Sequence, residues 1–297
     1  MSKPETDRTK ASPTTEKATS KGWLLVIGLL LAIGLSLSSI LGDRVLSTDE
    51  PAIPAVQAPA SVSPPLDSPS GRAMLAAAGP MEDLLTLVRY YEGQHFISYC
   101  GVASAVTVLN ALGIPGPTTG LPVLGNYQFF TQENVFTTAA MEVRNPMRVK
   151  TGGMNLMHLT GILQANGATV VTRFADEQKG PKTAASKEGA SKDGKSTHRD
   201  AQAVAAALRL DLLATMGEPN TFIIANYHRP ALDQKGGGHI SPLAAWDEAS
   251  QRVLILDVAN YRYPPVWASI DKLAEGMLAV DNDSGRSRGW LLVKRGG

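Results

Sequence analysis

The feature that most constrains this chain is an apolar run near its start, from Trp23 to Leu41, which contains no charged residue. A helix of about twenty apolar residues spans a bilayer, whereas the apolar region of a cleavable signal peptide is about 7 to 15 residues long. The run therefore predicts a transmembrane signal-anchor over residues 23–41. Ser38 and Ser39 are small residues near a possible cleavage point, so a cleaved signal peptide stays open as the alternative.

The charges before this run predict its orientation. Lys10, Lys17 and Lys21 precede it, and lysine and arginine are enriched on the cytoplasmic side of membrane proteins. We therefore expect residues 1–22 to form a cytoplasmic tail and the chain after Asp43 to lie across the membrane. The predicted location is a single-pass anchor in the inner (plasma) membrane, with the rest of the chain on the periplasmic or extracytoplasmic side.

Two shifts in composition divide the rest of the chain. Residues 42–73 are rich in Pro, Ala and Ser, a composition typical of extended and poorly packed linkers. Residues 74–297 then form the predicted folded domain. Within it, residues 176–199 gather Lys, Gly, Ser and Ala with almost no large apolar residue, which predicts a disordered surface insertion.

Charge and cysteine content exclude several classes of function. The chain of 297 residues has a formal net charge of +1, so it lacks the basic excess of nucleic-acid-binding proteins, and no nucleic-acid partner is expected. Cys100 is the single cysteine, which excludes an internal disulfide and any cysteine-rich zinc cluster, so we predict no metal site in the protein. A lone cysteine is more often a small buried hydrophobe than a reactive thiol.

Hydrophobic spacing predicts a helical part followed by an antiparallel sheet. A helix that begins at Cys100 carries apolar residues three and four apart and ends at Gly113. Further helices are expected over residues 154–166, ended by Gly167, and after a cap at Asp200. The strand-like runs are 169–174, 221–227, 239–246, 252–258 and 289–293. Helices first and strands afterwards indicate an α+β domain.

Cys100 has the local setting that thiol chemistry on an amide requires. The positive end of a helix dipole and the free N–H groups of a first turn stabilise a thiolate. The same N–H groups can stabilise an oxyanion. Gln94, shortly before the cysteine, is the candidate second oxyanion donor, although such a glutamine is by itself more often an ordinary loop residue.

A candidate base and its orienting group come later in the chain. His239 follows three glycines and opens a predicted strand, so its ring can reach a cleft while the strand fixes its position. Asp257 ends the next apolar strand, where antiparallel pairing can place its carboxylate beside the imidazole. An isolated aspartate at a strand end is, however, usually a turn former. The order Cys, His, Asp is that of papain-like enzymes.

Four stretches of the sequence resemble the phytochelatin synthase family. They are QHFISYCGVASAVTVLNAL (94–112), GGHISPLAAW (237–246), ILDVANYRYPPVW (255–267) and GRSRGWLLV (285–293). Their order is that of the family, and the resemblance extends from about Leu84 to Lys294. It implies that the predicted domain of residues 74–297 is a phytochelatin synthase-like catalytic domain.

The resemblance implies a papain-like cysteine protease fold and a role for each matched residue. Cys100 is the nucleophile, His239 is the general acid and base, and Asp257 orients His239. Gln94 contributes to the oxyanion hole. These roles reverse the expectation that a lone cysteine is inert.

The resemblance also implies how the substrate is held. Asn226 and Arg288 fall at positions similar to family residues that hold the γ-glutamyl part of the substrate. A guanidinium such as that of Arg288 can bind the free carboxylate of this group with two hydrogen bonds. No tightly bound cofactor is implied. A heavy-metal ion such as cadmium would enter as a metal-thiolate of the substrate, because one cysteine cannot form a metal cage.

The implied activity is that of a glutathione γ-glutamylcysteinyltransferase and glutathione hydrolase. The thiolate attacks the Cys–Gly bond of glutathione, and glycine leaves. The γ-Glu-Cys acyl-enzyme then passes to water or to a second glutathione, the route of phytochelatin synthesis in heavy-metal detoxification. Plant-type members add a Cys-rich C-terminal region, so this chain resembles the short bacterial type, for which we expect more hydrolysis than transfer.

Two other functions stay open. A papain-like processing peptidase also places a Gln shortly before a Cys-Gly pair at a helix start, although the YRYPPVW and SRG segments argue against it. The other is a non-catalytic module that binds thiol peptides or metal. Expected partners are glutathione, related thiol peptides and the membrane through the N-terminal helix, and a homodimer is one possible assembly.

Overall fold

The structure is a computed structural model and describes residues 63–118, 127–178 and 198–296. The predicted cytoplasmic tail and signal-anchor, the first part of the predicted linker, and residues 179–197 of the predicted insertion lie outside the described residues. Within the described ranges, no helix is both long enough and apolar enough to cross a bilayer.

The described elements form helices that flank one sheet. The α-helices are α1 (Pro69–Ala77), α2 (Glu82–Tyr90), α3 (Cys100–Ala111), α4 (Thr138–Val143), α5 (Pro146–Gly152), α6 (Leu156–Ala165), α7 (His198–Thr215) and α8 (Ile270–Leu278). The strands are β1 (Ala168–Phe174), β2 (Thr221–His228), β3 (Gly238–Asp247), β4 (Arg252–Ile255), β5 (Val266–Ser269) and β6 (Gly289–Arg295). Two short 3₁₀ helices follow strands, Ala175–Glu177 after β1 and Arg229–Leu232 after β2.

The sheet has the strand order β1-β6-β2-β3-β4-β5, and each neighbouring pair is antiparallel. In the central strands, Asn226 of β2 lies opposite Ile240 of β3 on one side and Gly289 of β6 on the other. The next position along β2, Tyr227, lies opposite His239. The α+β class with an antiparallel sheet is therefore confirmed.

Both faces of the sheet are buried, because successive side chains of a strand point to opposite faces. Phe222 and Ile224 of β2 belong to one hydrophobic core, which they share with α2, α3 and α6. Ile223 and Ala225 belong to a second core, which is shared with α7 and α8. A register shift between Leu243 and Ala245 in β3 marks an irregularity in the pairing with β4. The helical part therefore does not simply precede the sheet, since α7 and α8 cover its other face.

Local patterns located the central elements and missed others. The predicted helix at Cys100 is confirmed, and the predicted helix over 154–166 is confirmed as α6, beyond which Gly167 has a positive φ of 91°. Helix α7 begins at His198, so Asp200 lies in its first turn and is not the predicted cap. Helices α1, α2, α4, α5 and α8 and strand β5 were not predicted.

The prediction of a linker over residues 42–73 is wrong for residues 63–73. Ser68 caps α1 by accepting a hydrogen bond from the Gly71 N–H, and a proline occupies the first turn, where its missing N–H costs nothing. Trp267 of β5 donates its backbone N–H to Pro64 O at 3.0 Å and its indole N–H to Gly71 O at 3.0 Å. A Pro-rich segment can therefore still pack against β5, the edge strand of the sheet.

The predicted insertion over residues 176–199 is also too long. Asp176 lies in a 3₁₀ helix, where its N–H donates to Ser287 Oγ at 2.9 Å and its Oδ1 accepts from the same hydroxyl at 3.0 Å. At the other end, residues 198–199 already belong to α7. The polar composition of this segment did not indicate where the ordered residues end. At Asp176, the order depends on hydrogen bonds to Ser287, a distant part of the chain.

Candidate active site

Cys100 is the first residue of α3, the most buried of the described helices. Residues 101–110 are all buried, which fits a helix that is apolar on every side. Tyr99 precedes the helix and supplies no side-chain cap, and the first N–H groups of a helix have no partner within it. Gly101 leaves room for the Met154 side chain, which would have to shift if a Cβ atom stood at this position. The half-buried Cys100 thiol therefore lies where a helix end favours negative charge.

Strand β3 brings His239 to Cys100. The Nε2 atom of His239 lies 2.8 Å from Asp257 Oδ1 and 2.9 Å from Ser241 Oγ. The imidazole and the Cys100 thiol also interact, and each shifts the pKa of the other toward its charged form. Ser241 is a site residue that no sequence pattern indicated. It stands two positions from His239 and so projects from the same face of the strand.

The surroundings of Cys100 and His239 favour a thiolate beside an imidazolium. Burial acts to raise the pKa of the Cys100 thiol, but the His239 hydrogen bond and charge, with the Ile240 N–H, outweigh it and hold the pKa below its usual value. Burial acts to lower the pKa of His239, but the Asp257 carboxylate outweighs it and holds the pKa above its usual value. Opposite charges within contact distance stabilise each other's ionised forms.

Asp257 follows β4 and its side chain is fully buried. Arg229 binds it with two hydrogen bonds, from Nη1 to Oδ2 at 2.8 Å and from Nη2 to Oδ1 at 2.9 Å. The Ala259 N–H also donates to Oδ1 at 2.9 Å. Burial acts to raise the pKa of Asp257, but the charges of His239 and Arg229 and their hydrogen bonds hold it well below its usual range. We call Asp257, Arg229 and His239 the rear network.

Arg229 is a site residue that the sequence did not reveal. It begins the 3₁₀ helix after β2, is 3% exposed, and donates from Nη1 to Gln234 Oε1 at 2.5 Å. Its guanidinium lies over the Tyr263 ring, 4.7 Å from the ring centroid. An arginine after a predicted strand usually faces solvent, and no local pattern relates it to Asp257.

Gln94 lies near the site, but its amide is engaged elsewhere. The Nε2 atom donates to Phe96 O at 2.8 Å and to Ile97 O at 2.7 Å. Its Oε1 atom is buried without a hydrogen-bond partner. Because an amide nitrogen has two N–H groups, both donors are used in this conformation, and Gln94 does not offer one to the thiol.

A cleft of about 300 Å³ opens beside the Cys100–His239 pair. Asn226 and Arg288 line it together with these two residues, so the structure brings four of the six predicted site residues to one cleft. Asp257 lies behind His239. We call Asn226, Arg288 and Asp281 the cleft wall.

The cleft wall contains buried hydrogen-bond donors without partners among the described residues. Asn226 Nδ2 and Arg288 Nε are both such donors. Arg288 Nη1 is held by the carbonyl oxygens of Ala279 and Val280, at 2.9 and 2.8 Å. Burial lowers the pKa of Arg288, although nearby Asp281 acts to raise it. Unsatisfied buried donors are rare in proteins, and both of these donors belong to residues that line the cleft.

Asp281 and Asp283 place negative charge on the same side of the cleft. Asp281 Oδ2 lies 3.7 Å from Arg288 Nη2. Asp283 Oδ2 accepts from Asn155 Nδ2 at 3.0 Å and from Arg144 Nη1 at 3.3 Å, which ties this loop to the helices. The cleft therefore contains a cationic side chain, Arg288, next to a carboxylate, Asp281. Within the described part of the chain, no group of His, Cys, Asp and Glu could hold a metal ion.

The sequence model of one family, described as phytochelatin synthase, matches residues 58–290. The chain belongs to the phytochelatin synthase family. All six predicted site residues of this family member, and also Arg229, fall inside the matched range.

Curated relatives carry a related name. Glutathione gamma-glutamylcysteinyltransferase 3 of Lotus japonicus is 28% identical over 231 residues, which are 77% of this chain and 41% of that protein. Glutathione gamma-glutamylcysteinyltransferase 1 of Arabidopsis thaliana is 28% identical over 217 residues, 73% of this chain and 38% of that protein. The Schizosaccharomyces pombe protein of that name is 23% identical over 216 residues, 73% and 44% respectively. The matched part thus spans about two fifths of the length of these relatives.

Proposed function

We propose that this chain is a cysteine-dependent γ-glutamylcysteine dipeptidyl transpeptidase that acts on glutathione and also hydrolyses it. The observation that carries the proposal is the sequence of interacting groups from Cys100 through His239 to Asp257. It lies beside a cleft lined by Asn226 and Arg288, whose Nδ2 and Nε atoms have no hydrogen-bond partner among the described residues. Family membership and the names of the relatives support the same chemistry.

In the first step, the Cys100 thiolate attacks the carbonyl carbon of the Cys–Gly bond. His239, as imidazolium, gives its proton to the departing glycine nitrogen, and Asp257 keeps the ring oriented and stabilises its charge. The C–N bond breaks and a γ-glutamylcysteinyl thioester forms on Cys100. His239 is left neutral and able to act as a base.

The oxyanion of the tetrahedral intermediate needs hydrogen-bond donors. We propose that the backbone N–H groups at the start of α3 are among these donors, since the helix begins at Cys100 and has no side-chain cap. Gln94 can add a second donor only after its amide turns away from the carbonyl groups of Phe96 and Ile97. We propose that substrate binding drives this rotation. The Oε1 atom of Gln94, which has no hydrogen-bond partner in the present conformation, would move with the amide.

The cleft wall matches the charges of a γ-glutamyl group. The α-carboxylate would be bound by Arg288 through its unpartnered Nε, because a guanidinium and a carboxylate form strong paired hydrogen bonds. The α-ammonium would face Asp281, and Asn226 Nδ2 would donate to a carbonyl or carboxylate oxygen of the substrate. Pairing of these groups would remove the cost of unsatisfied burial.

In the second step, neutral His239 takes a proton from the acceptor as the acceptor attacks the thioester. Water gives γ-glutamylcysteine, and the amine of a second glutathione gives a phytochelatin. We expect hydrolysis to be the larger flux, and a heavy metal such as cadmium to act as a metal-thiolate of the acceptor peptide. Heavy-metal detoxification is the physiological role that this activity would serve.

Three further proposals concern the setting of the reaction. The helix-borne Cys100 and the strand-borne His239 are the parts of a papain-like fold, which we propose for the domain.

Residues 23–41 would anchor the chain in the inner membrane with the domain on the periplasmic side, and a reporter joined to the C-terminus tests this side. A homodimer stays a proposal for sedimentation analysis.

The test is product analysis with the purified full chain and glutathione, with and without cadmium. We expect free glycine together with γ-glutamylcysteine, and phytochelatin in smaller amount. Substitution Cys100→Ala should abolish glycine release, whereas Ser98→Ala, a change of a neighbouring hydroxyl that bonds to Lys150 O, should keep most of it.

Three outcomes would contradict the proposal. Glycine release that survives in C100A would rule out Cys100 as the nucleophile. Cleavage of longer peptides by a chain that leaves glutathione intact would instead favour a processing peptidase. Binding of glutathione without turnover would favour the non-catalytic module.

A further inference from the structure

A neutral group would suffice to orient His239, yet this site uses a buried ion pair. Asp257 has no exposed surface and Arg229 is 3% exposed. Moving two charges out of water is costly, and a buried pair often adds no stability compared with apolar groups of the same size. The presence of Arg229 therefore calls for an explanation other than stability.

We propose that Arg229 is a positioning residue whose charge compensates Asp257 and thereby sets the pH range in which Cys100 is reactive. The inference rests on the proposed function in that it treats the Cys100–His239–Asp257 line as the reacting groups. It goes beyond that function by assigning a role to a residue outside the line.

The geometry supplies the positioning part of the role. The two hydrogen bonds from Arg229 fix the plane of the Asp257 carboxylate. Asp257 Oδ1 then meets His239 Nε2 at 2.8 Å, while Oδ2 faces Arg229 at 2.8 Å. A planar guanidinium can do this because its donors form a rigid fork, whereas a lysine ammonium is a single point of charge. Arg229 is in turn fixed by Gln234 and by the Tyr263 ring.

The charge of Arg229 acts on both reacting groups in a defined direction. It lowers the pKa of His239, against the effect of Asp257, and it lowers the pKa of Cys100. Without it, Asp257 would be a bare anion beside the imidazolium, and the Cys100 thiolate would lose a nearby cation. Both pKa values would then rise, so the whole pH range of reactivity would move upward.

Several other titratable or charged groups lie near the pair in the part of the chain that the structure describes. The titratable and charged side chains that face the Arg229–Asp257 pair are Cys100 of α3, Tyr227 of β2, His239 of β3, Tyr91 after α2, and Tyr261, Arg262 and Tyr263 after β4. Burial raises the pKa of Tyr91, Tyr227 and Tyr261, so these phenols stay neutral near pH 7. Arg229 is therefore the buried cation that faces Asp257 opposite His239.

The test measures the rate of Cys100 alkylation by iodoacetamide as a function of pH, without glutathione. Cys100 is the single cysteine of the chain, so the mass increase of the full chain reports it alone. In Arg229→Gln, which keeps a hydrogen-bonding side chain and removes the charge, we expect the midpoint of the alkylation curve to rise by about one pH unit. In Arg229→Lys, which keeps the charge, the midpoint should stay near that of the wild type.

A second variant covers the case in which Arg229→Gln fails to fold. Gln234→Glu is of equal size and places a carboxylate against Arg229 Nη1, so it neutralises the cation in place. We expect its alkylation midpoint to rise in the same direction and by less. Midpoints of Q234E and R229Q equal to the wild type would overturn the proposal, and so would an equal rise in R229K and R229Q, because charge would then not be the cause.

The same variants distinguish this inference from the proposed function. The bell-shaped pH curve of glycine release should move upward on both limbs in R229Q. If the wild type released no glycine while the alkylation midpoints moved as expected, the proposed substrate would be wrong and the role of Arg229 would stand. If glycine release were normal and the midpoints did not move, Arg229 would have only a structural role.

Discussion

The rear network is buried, as are Asn226 and Arg288 of the cleft wall, but the two regions differ in how their polar groups are paired. Both oxygens of Asp257 and both terminal nitrogens of Arg229 are hydrogen-bonded. In the cleft wall, Asn226 Nδ2 and Arg288 Nε have no partner among the described residues. A paired buried group holds a geometry, whereas an unpaired one carries a desolvation cost that a ligand can remove. The rear network therefore organises the reaction, and the cleft wall is prepared for substrate.

The largest expected effect comes from breaking the rear network. Asp257→Ala leaves Arg229 buried without its counter-ion, so the free energy of unfolding should fall by about 3–5 kcal/mol. Urea unfolding measures this change. The matched control is Asp283→Ala, which removes a carboxylate whose side chain is 41% exposed and should cost about 1 kcal/mol or less. Equal losses in the two variants would contradict the claim that Asp257 is a buried counter-ion whose loss is more costly than that of a partly exposed carboxylate.

A smaller effect is expected when a charged group of the cleft wall is altered. Arg288→Lys keeps the charge but loses the fork that would pair with the substrate carboxylate. Hydrogen bonds to charged groups contribute about 1.5–3 kcal/mol, so kcat/KM for glutathione should fall by about 10- to 150-fold. Steady-state glycine release measures it. The alkylation rate of Cys100 should not change, and a fall in that rate would place Arg288 in the rear network instead.

Asp83 of α2 is a buried carboxyl for which no cation partner is found among the described residues, in contrast to Asp257. Burial raises the pKa of Asp83 to about 7, against the hydrogen bond from the Gly217 N–H at 3.3 Å. A carboxyl with a raised pKa binds more protons in the folded state, so its contribution to stability falls as the pH rises from about 4 to about 7.

Asp83→Asn should remove this pH dependence, because its amide oxygen can still accept from Gly217. Above pH 7 the variant should be more stable than the wild type by on the order of 1 kcal/mol or more. At pH 4 the two should be equal. Thermal unfolding at both pH values measures this, and a variant that is less stable at pH 8 would show that Asp83 has a cation partner.

The smallest expected change in stability is at Asn226. Asn226→Leu removes a buried donor that has no partner in the free protein, so the free energy of unfolding should stay the same or rise by up to about 1 kcal/mol. The kcat/KM for glutathione should nevertheless fall by about tenfold. Urea unfolding and glycine release measure the two quantities. A clear loss of stability would mean that Asn226 is already paired and belongs with the structural groups.

Local sequence patterns revealed the parts of the site that depend on one element. The helix start at Cys100, and the strand at His239, follow from apolar spacing and from the glycines beside them. The contact between these two residues does not, since it depends on the packing of α3 against β3. The order of residues and the family resemblance indicated it.

The parts that could not be predicted depend on contacts between distant residues. Arg229 and Asp257 are separated by 28 positions, and nothing in the sequence around Arg229 indicates a buried counter-ion. Gln94 was predicted as an oxyanion donor, but its amide is hydrogen-bonded to the carbonyl groups of Phe96 and Ile97, which no sequence pattern indicated. The Pro-rich segment over residues 63–73 was misread for the same reason, because composition does not record its hydrogen bonds to Trp267.

The central claim is that Cys100 carries a γ-glutamylcysteinyl thioester during turnover. The most direct measurement mixes the full chain with glutathione labelled in its γ-glutamyl group, stops the reaction with acid, and locates the label by mass spectrometry of peptides. We predict the label on the peptide that contains Cys100, and its loss on treatment with neutral hydroxylamine, which cleaves thioesters. Glycine release without label on that peptide would contradict the claim.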